Sequence, residues 1–75
     1  MEVNIERLSS IFSEAFGEPI VLSINSKKEE IDQWDSINHL NLIVELEDQL
    51  DVKFSIKEIE SMDSVTELLK ILSNK

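Results

Sequence analysis

Apolar residues recur at helical spacing along nearly the whole chain, and this pattern restricts the possible folds more than any other feature. One glycine and one proline interrupt it among 75 residues. The first segment carries an apolar stripe at intervals of three and four residues: Ile5, Leu8, Ile11, Phe12, Ala15 and Phe16. Such spacing is typical of an amphipathic helix. No stretch has the length and alternation of a strand, so the sequence predicts an all-α fold.

Local capping signals set the ends of the first two helices. Asn4 is a suitable N-cap, and Gly17 followed by Pro19 is a suitable stop, so we expect a first helix over about residues 4–16. Asp35 is the predicted N-cap of a second helix over about residues 36–50.

The connection between these two helices, residues 17–35, is unusually long. Apolar side chains are spread through it, and we expect some of them to anchor it on the bundle: Ile20, Val21, Leu22, Ile24, Ile31 and Trp34. The charged run 27–30 is its predicted solvated tip.

Two capping-box patterns, each a serine followed three residues later by a glutamate, mark the rest of the chain. Ser55 with Glu58 predicts a short third helix over about residues 56–61. Ser64 with Glu67 predicts the start of a last helix, with Met62 stapling that start. This helix has an apolar face: Val65, Leu68, Leu69, Ile71 and Leu72. The expected fold is a small four-helix bundle in one domain, residues 1–75.

Charge and composition exclude several classes of function. The chain has 16 acidic and 7 basic residues, a net charge of −9, no cysteine and one histidine. Disulfide frameworks and thiolate or zinc sites are excluded, and no EF-hand spacing is present, so we expect no metal site. Nucleic acid is a poor partner, because binding it relies on Lys and Arg. No apolar run could span a bilayer and the N-terminus lacks signal-peptide character, so we expect a cytoplasmic monomer.

The second helix is more apolar than a core-facing helix of a small bundle requires. Leu42, Leu46 and Leu50 provide a sufficient core face, yet a helical wheel gives an apolar arc of about 220°. The surplus consists of Ile37, Leu40 and Val44, with Glu47 and Asp48 interleaved. These five residues are the predicted docking surface for a basic partner. The alternative is that Leu40 and Val44 pack under the long loop.

Ser36 stands at the start of that surface. A helix N-terminus has unpaired N–H groups and a partial positive charge, so a phosphate ester on a first-turn serine is stabilised there. Ser64 also follows an aspartate, but it has the character of the cap itself. Ser36 is therefore the candidate modification site, although a first-turn serine can also be purely structural.

These residues resemble a known family. Asp35-Ser36-Ile37, followed by Leu40, Leu42, Leu46, Glu47 and Asp48, is similar to the Asp-Ser-Leu helix of the acyl carrier proteins, and the similarity covers the whole chain. The resemblance implies a non-catalytic carrier on which a phosphopantetheinyl transferase attaches 4′-phosphopantetheine to Ser36. Asp35 would serve as cap and transferase contact. The arm would carry acyl groups as thioesters between loading and transferring enzymes with basic docking patches.

Some positions depart from the fatty-acid carriers. Gln33 replaces a glycine and Asn41 replaces an acid, while the segment from Trp34 to Leu40 looks more like freestanding carriers of specialised pathways, such as polyketide, nonribosomal peptide or saccharide modification. We expect Trp34 to pin the loop, or else to shape the surface around the arm. We expect His39 to be buried or half-buried and hydrogen-bonded to the loop; contact with the arm is the alternative.

Two other functional classes are considered. A small acidic helical protein that occupies basic partner surfaces, as an inhibitor does, would share the charge and the helices but would not need Ser36. A hydrolase using Ser36 and His39 is disfavoured, because residues three apart on a helix diverge and no oxyanion donors are identifiable.

Overall fold

Four helices and one short 3₁₀ turn make up the architecture of residues 3–75, the part of the chain that the computed structural model describes. The helices are α1 (Ile5–Phe16), α2 (Ser36–Leu50), α3 (Ile56–Ser61) and α4 (Val65–Ser73). The 3₁₀ turn, Lys28–Glu30, lies in the long α1–α2 connection. The predicted all-α bundle with a short third helix is confirmed. No helix within this range is both long and apolar enough to cross a bilayer.

Both predicted ends of α1 are confirmed. Asn4 Oδ1 accepts a hydrogen bond from the Arg7 N–H at 2.7 Å, which satisfies one of the first-turn amides. Gly17 adopts the left-handed conformation at φ 75°, where a side chain is disfavoured, and its N–H donates to the Ser13 carbonyl. The apolar stripe between these caps faces the core: Leu8, Ile11, Phe12 and Phe16 are buried.

Two serines on α1 hold the first part of the long connection. The Ser9 and Ser13 hydroxyls accept hydrogen bonds from the Leu22 and Ile20 N–H groups, at 3.1 and 2.8 Å. Of the predicted anchors, Ile20, Leu22 and Trp34 are buried and Ile31 is half-buried. Val21 is exposed instead, because the extended backbone between the two serine contacts turns alternate side chains outward. Ile24 is exposed in the turn that the Ser26 N–H closes on the Ser23 carbonyl.

The run 27–30 is not a free loop tip. Its side chains are largely solvated, but its backbone is docked on the α3–α4 connection. Lys28 N–H donates to the Asp63 carbonyl, and Val65 N–H donates to the Ser26 carbonyl, each at 2.9 Å. The geometry includes one isolated antiparallel bridge between Lys27 and Ser64. The prediction of a solvated tip is therefore wrong for the backbone of this segment, because the Lys28 N–H and the Ser26 carbonyl bond to residues of the α3–α4 connection.

The capping boxes of α3 and α4 differ. At α3 both halves are formed, because Glu58 N–H donates to Ser55 Oγ and the Glu58 carboxylate accepts from Ser55 N–H. At α4 the structure shows the serine half, in which Ser64 Oγ accepts from the Glu67 N–H. Met62 is buried. The core comprises residues from all parts of the chain, and its fully buried members include Leu8, Phe12, Leu42, Leu46, Val65 and Leu68.

Candidate functional site at the start of helix α2

The N-terminus of α2 places an exposed serine beside a capping aspartate. Asp35 has extended backbone angles, and its Oδ1 accepts a hydrogen bond from Asn38 N–H at 2.8 Å. Asn38 in turn donates from Nδ2 to the Gln33 carbonyl at 2.8 Å, which ties the incoming chain to the first turn. With Asp35 as the cap, Ser36 is the first helical residue and faces solvent. The predicted cap and helix start are confirmed.

The outer face of α2 is apolar and open to solvent. Ile37, Leu40 and Val44 are 74%, 62% and 63% exposed. The alternative that Leu40 and Val44 pack under the long loop is therefore wrong. Ile56, in the first turn of α3, is also exposed, and the sequence analysis did not single it out. Its place directly after a capping serine is no signal for exposure, because Val65 has the same place after Ser64 and is fully buried.

The two predicted acidic contacts have different surroundings. Asp48 is exposed. Glu47 is half-buried, and its Oε2 accepts a hydrogen bond from the Phe54 N–H at 3.0 Å. Glu47 therefore also stabilises the turn between α2 and α3, a role that the sequence pattern did not reveal. The C-cap residue that follows α2, Asp51, adopts the left-handed conformation with φ 53°.

The inner face of α2 is part of the hydrophobic core, which also holds Trp34. Leu42 and Leu46 are fully buried, while Leu50 is half-buried. Trp34, just before the site, is also buried. Its ring stands edge-on to Phe12, with centroids 4.9 Å apart. The prediction that Trp34 pins the loop to the bundle is confirmed by these contacts.

His39 joins three segments through its two ring nitrogens. Trp34 Nε1–H donates to His39 Nδ1 at 2.8 Å, and His39 Nε2 lies 2.8 Å from the Ile59 carbonyl oxygen on α3. Because Nδ1 accepts, Nε2 carries the proton and donates to Ile59; these partners assign a neutral imidazole. The predicted half-buried, loop-bonded histidine is confirmed, and the bond to α3 is new. With both nitrogens engaged, His39 is not placed to act as a base on Ser36.

An open hollow of ≈ 540 Å³ lies beside Trp34. Its lining combines the indole with five polar or charged residues: Lys27, Lys28, Glu29, Asp63 and Ser64. The hollow is therefore amphipathic.

Comparison with known proteins defines the class. The chain is similar to the holo acyl carrier protein of Geobacter metallireducens, whose structure was solved by NMR in solution. The two are 35% identical and superpose with a TM-score of 0.82, over 95% of this chain and 83% of that one. No protein-family model matches the sequence, and no curated protein does.

Helices, loop and serine site together define a small carrier domain rather than an enzyme. At this identity and coverage, the chain belongs to the acyl carrier protein family. Its members carry acyl groups and are not themselves catalysts.

Proposed function

We propose that this protein carries acyl groups on a 4′-phosphopantetheine arm attached to Ser36. The observation that carries the proposal is the exposed Ser36 hydroxyl at the first position of α2, directly after its aspartate cap, in a chain of this family. When attached, the arm supplies a terminal thiol that holds acyl groups as thioesters. Residues 1–75 would act as a single carrier domain, as a monomer in the cytoplasm.

The residues at this helix start suit a phosphodiester. In the attachment step a bond forms between Ser36 Oγ and the phosphorus that bears pantetheine, the phosphoanhydride bond of coenzyme A breaks, and adenosine 3′,5′-bisphosphate leaves. The first-turn amides and the helix dipole stabilise the resulting negative charge. The Asp35 carboxylate accepts from Asn38 N–H, which holds it beside the serine as a contact for the phosphopantetheinyl transferase.

An intact-mass experiment tests the attachment. The protein is incubated with coenzyme A and a permissive phosphopantetheinyl transferase, and we expect the mass of one phosphopantetheinyl group to be added. Ser36→Ala should abolish the addition. Ser64→Ala is the matched control, because Ser64 also follows an aspartate but is half-buried and bonded to Glu67 N–H at 3.1 Å. An unmodified wild-type chain would favour the alternative, an acidic helical protein that occupies basic surfaces.

We further propose that partners dock on the surface formed by Ile37, Leu40, Val44, Glu47 and Asp48. Support comes from the exposure of the three apolar side chains beside carboxylates, an arrangement that complements an enzyme with a basic patch. Asp48 is the sharper probe of charge, because Glu47 also accepts from Phe54 N–H. At position 47, glutamine keeps that acceptor and removes only the charge.

Transferase kinetics test the docking surface. Asp48→Lys should lower kcat/KM by about tenfold at low salt, and Glu47→Gln by less, with a weaker salt dependence in both. Glu6→Lys is the control, since it makes the same change of charge on an exposed residue of α1. Equal effects of the substitutions at positions 48 and 6 would show that net charge alone matters.

The proposed pathway is a specialised one rather than general fatty acid synthesis. Trp34 and His39, which set this segment apart in the sequence, form a hydrogen-bonded pair at the base of the site. That pair supports a likeness to the freestanding carriers of polyketide, peptide or saccharide modification.

A further inference from the structure

The single histidine of the chain bonds to its single tryptophan directly before Ser36. His39 Nδ1 accepts from the Trp34 indole at 2.8 Å, and His39 Nε2 lies 2.8 Å from the Ile59 carbonyl oxygen. We call this set, Trp34, His39 and the Ile59 carbonyl, the latch. An indole N–H can only donate a hydrogen bond and a carbonyl can only accept one. The latch is therefore complete only when the imidazole is neutral, with an acceptor at Nδ1 and a donor at Nε2.

A proton added to His39 acts on the two bonds of the latch in opposite ways. The imidazolium carries an N–H on both ring nitrogens, so its Nδ1–H would face the Trp34 Nε1–H, and the bond between these atoms is lost. The bond from Nε2–H to the Ile59 carbonyl remains, and the positive charge strengthens it. Protonation therefore opens the latch on the side of the loop and leaves it closed on the side of α3.

A released indole would hold a buried N–H without a partner. Trp34 is 3% exposed, and its ring stands edge-on to Phe12 with centroids 4.9 Å apart. An unsatisfied donor in such a place is costly, so the indole gains by turning its N–H toward water. The open hollow beside Trp34, which Lys28 and Asp63 help to line, provides a route to solvent. Loss of one hydrogen bond is thereby coupled to a movement of the indole.

Charged residues stand on each element that the latch joins, but within residues 3–75 none of them forms a hydrogen bond or an ion pair with the imidazole. Asp35 lies one turn earlier on α2. On α3, Glu58 pairs with Lys75, and Glu60 is exposed. The hollow beside the indole is lined by charges of both signs: Lys27, Lys28, Glu29 and Asp63. The imidazole is the group of the latch that changes charge between about pH 5 and 8.

We propose that the latch is a pH-sensitive switch, in which the neutral His39 ring holds Trp34 on the bundle and protonation of His39 releases the indole. Trp34 is adjacent to the Asp35 cap and two residues before Ser36. Its release loosens the segment that leads into the modification site, while α2 and α3 stay joined. The switch itself goes beyond the proposed function, and only its effect on Ser36 rests on that function.

An NMR titration of the wild-type chain tests the switch. With one imidazole and one indole in the chain, the His39 ring protons and the Trp34 Nε1–H are assigned without ambiguity. Between about pH 8 and pH 5 we expect the His39 ring to titrate and the indole N–H resonance to move upfield with the same midpoint. An indole resonance that does not respond while the ring titrates would overturn the proposal, and so would a ring that takes up no proton in this range.

His39→Gln is the matched control. A glutamine amide offers an acceptor and a donor, as the neutral imidazole does, but it takes up no proton in this range. We expect its indole resonance and its tryptophan emission maximum to stay constant, whereas the wild-type emission moves to longer wavelength on acidification. The variant keeps all 16 acidic residues, so carboxylate titration contributes equally to both chains. The same response in both chains would refute the role of His39. Should the variant not fold, the wild-type midpoints decide.

Transferase kinetics test the effect on Ser36. The value of kcat/KM for attachment of the arm is measured for wild type and His39→Gln at about pH 7.5 and about pH 5.5. The pH dependence of the transferase cancels in the ratio of the two chains. We expect the ratio of wild type to variant to fall by about fivefold on acidification, as for the loss of one hydrogen bond. An unchanged ratio would overturn the effect on Ser36. If neither chain is modified at either pH, the proposed function fails, whereas the NMR titration alone decides on the switch.

Discussion

Two tripeptides of the same pattern, Asp35-Ser36-Ile37 and Asp63-Ser64-Val65, stand at the starts of α2 and α4, yet they differ in register by one residue. At α2 the aspartate is the cap and the serine is the first helical residue. At α4 the serine is the cap and the valine is the first helical residue. The same residue types therefore leave one serine exposed and occupy the other with a backbone N–H.

The surroundings explain the difference in register. The Asp63 carbonyl accepts from Lys28 N–H, and Val65 N–H donates to the Ser26 carbonyl, so the loop holds the backbone on both sides of Ser64. At the start of α2 the contacts are local instead. The Asn38 N–H donates to the Asp35 side chain, and the Asn38 side chain donates to the Gln33 carbonyl. At α2 the aspartate makes the cap, so the Ser36 hydroxyl is not used as the capping acceptor.

The largest difference that we predict concerns the third residue of each tripeptide. Val65 is fully buried and Ile37 is 74% exposed. Val65→Ala should lower the free energy of unfolding by about 2 kcal/mol, since it leaves a cavity, whereas Ile37→Ala should change it by less than about 0.5 kcal/mol. Urea unfolding measures both. Similar losses at the two positions would mean that Ile37 is not solvent-exposed.

Loss of stability on substitution should follow the aspartate at α2 and the serine at α4. Asp35→Ala and Ser64→Ala each remove a capping acceptor and should cost about 1 kcal/mol, while Ser36→Ala and Asp63→Ala should each cost less than about 0.5 kcal/mol. Thermal unfolding of the four variants measures this. The proposed modification should show the reverse order for the serines, because Ser36→Ala should abolish it and Ser64→Ala should not. A Ser36→Ala variant as unstable as Ser64→Ala would contradict the assigned register.

The smallest effect on stability that we predict concerns the cap of α3, where both halves of the capping box are formed. The Lys75 ammonium, 2.8 Å from Glu58 Oε1, and the Ser55 N–H both lower the pKa of Glu58 from its ordinary value of 4.5. Because the folded-state pKa is the lower one, this stabilisation is present above the unfolded-state pKa and is lost as the pH falls through the folded-state pKa.

Lys75→Met should therefore shift the pKa of Glu58 upward, toward its ordinary value, and should remove part of the acid dependence of Tm below about pH 4.5. An NMR titration of the Glu58 side chain measures the shift directly. The exposure of this pair keeps the effect on stability small. An unchanged pKa would show that the lysine contact contributes little in solution.

The helices were predictable because their signals are local. Asn4, Asp35, Ser55 and Ser64 each cap within three residues, and Gly17 supplies the left-handed stop, so the bounds and the exposed Ser36 follow from short segments. The outward face of α2 followed from helical periodicity in the same way.

Contacts between distant backbone groups were not predictable. Residues 26–28 dock on residues 63–65 through backbone carbonyl and amide groups. Because nearly every residue has these groups, no pattern of side chains in the sequence predicts the contact. The bond from His39 to the Ile59 carbonyl is invisible for the same reason. The second role of Glu47 depends on the turn bringing the Phe54 amide back beside α2.

The docking of the long loop on the α3–α4 connection has a consequence for biosynthesis. Lys28 and Ser26 bond to residues 63 and 65, so the loop lacks these partners until that later part of the chain has left the ribosome. Contacts of such sequence separation form slowly compared with helical turns. The long connection can therefore be fixed on the α3–α4 connection only after residue 65 has left the ribosome.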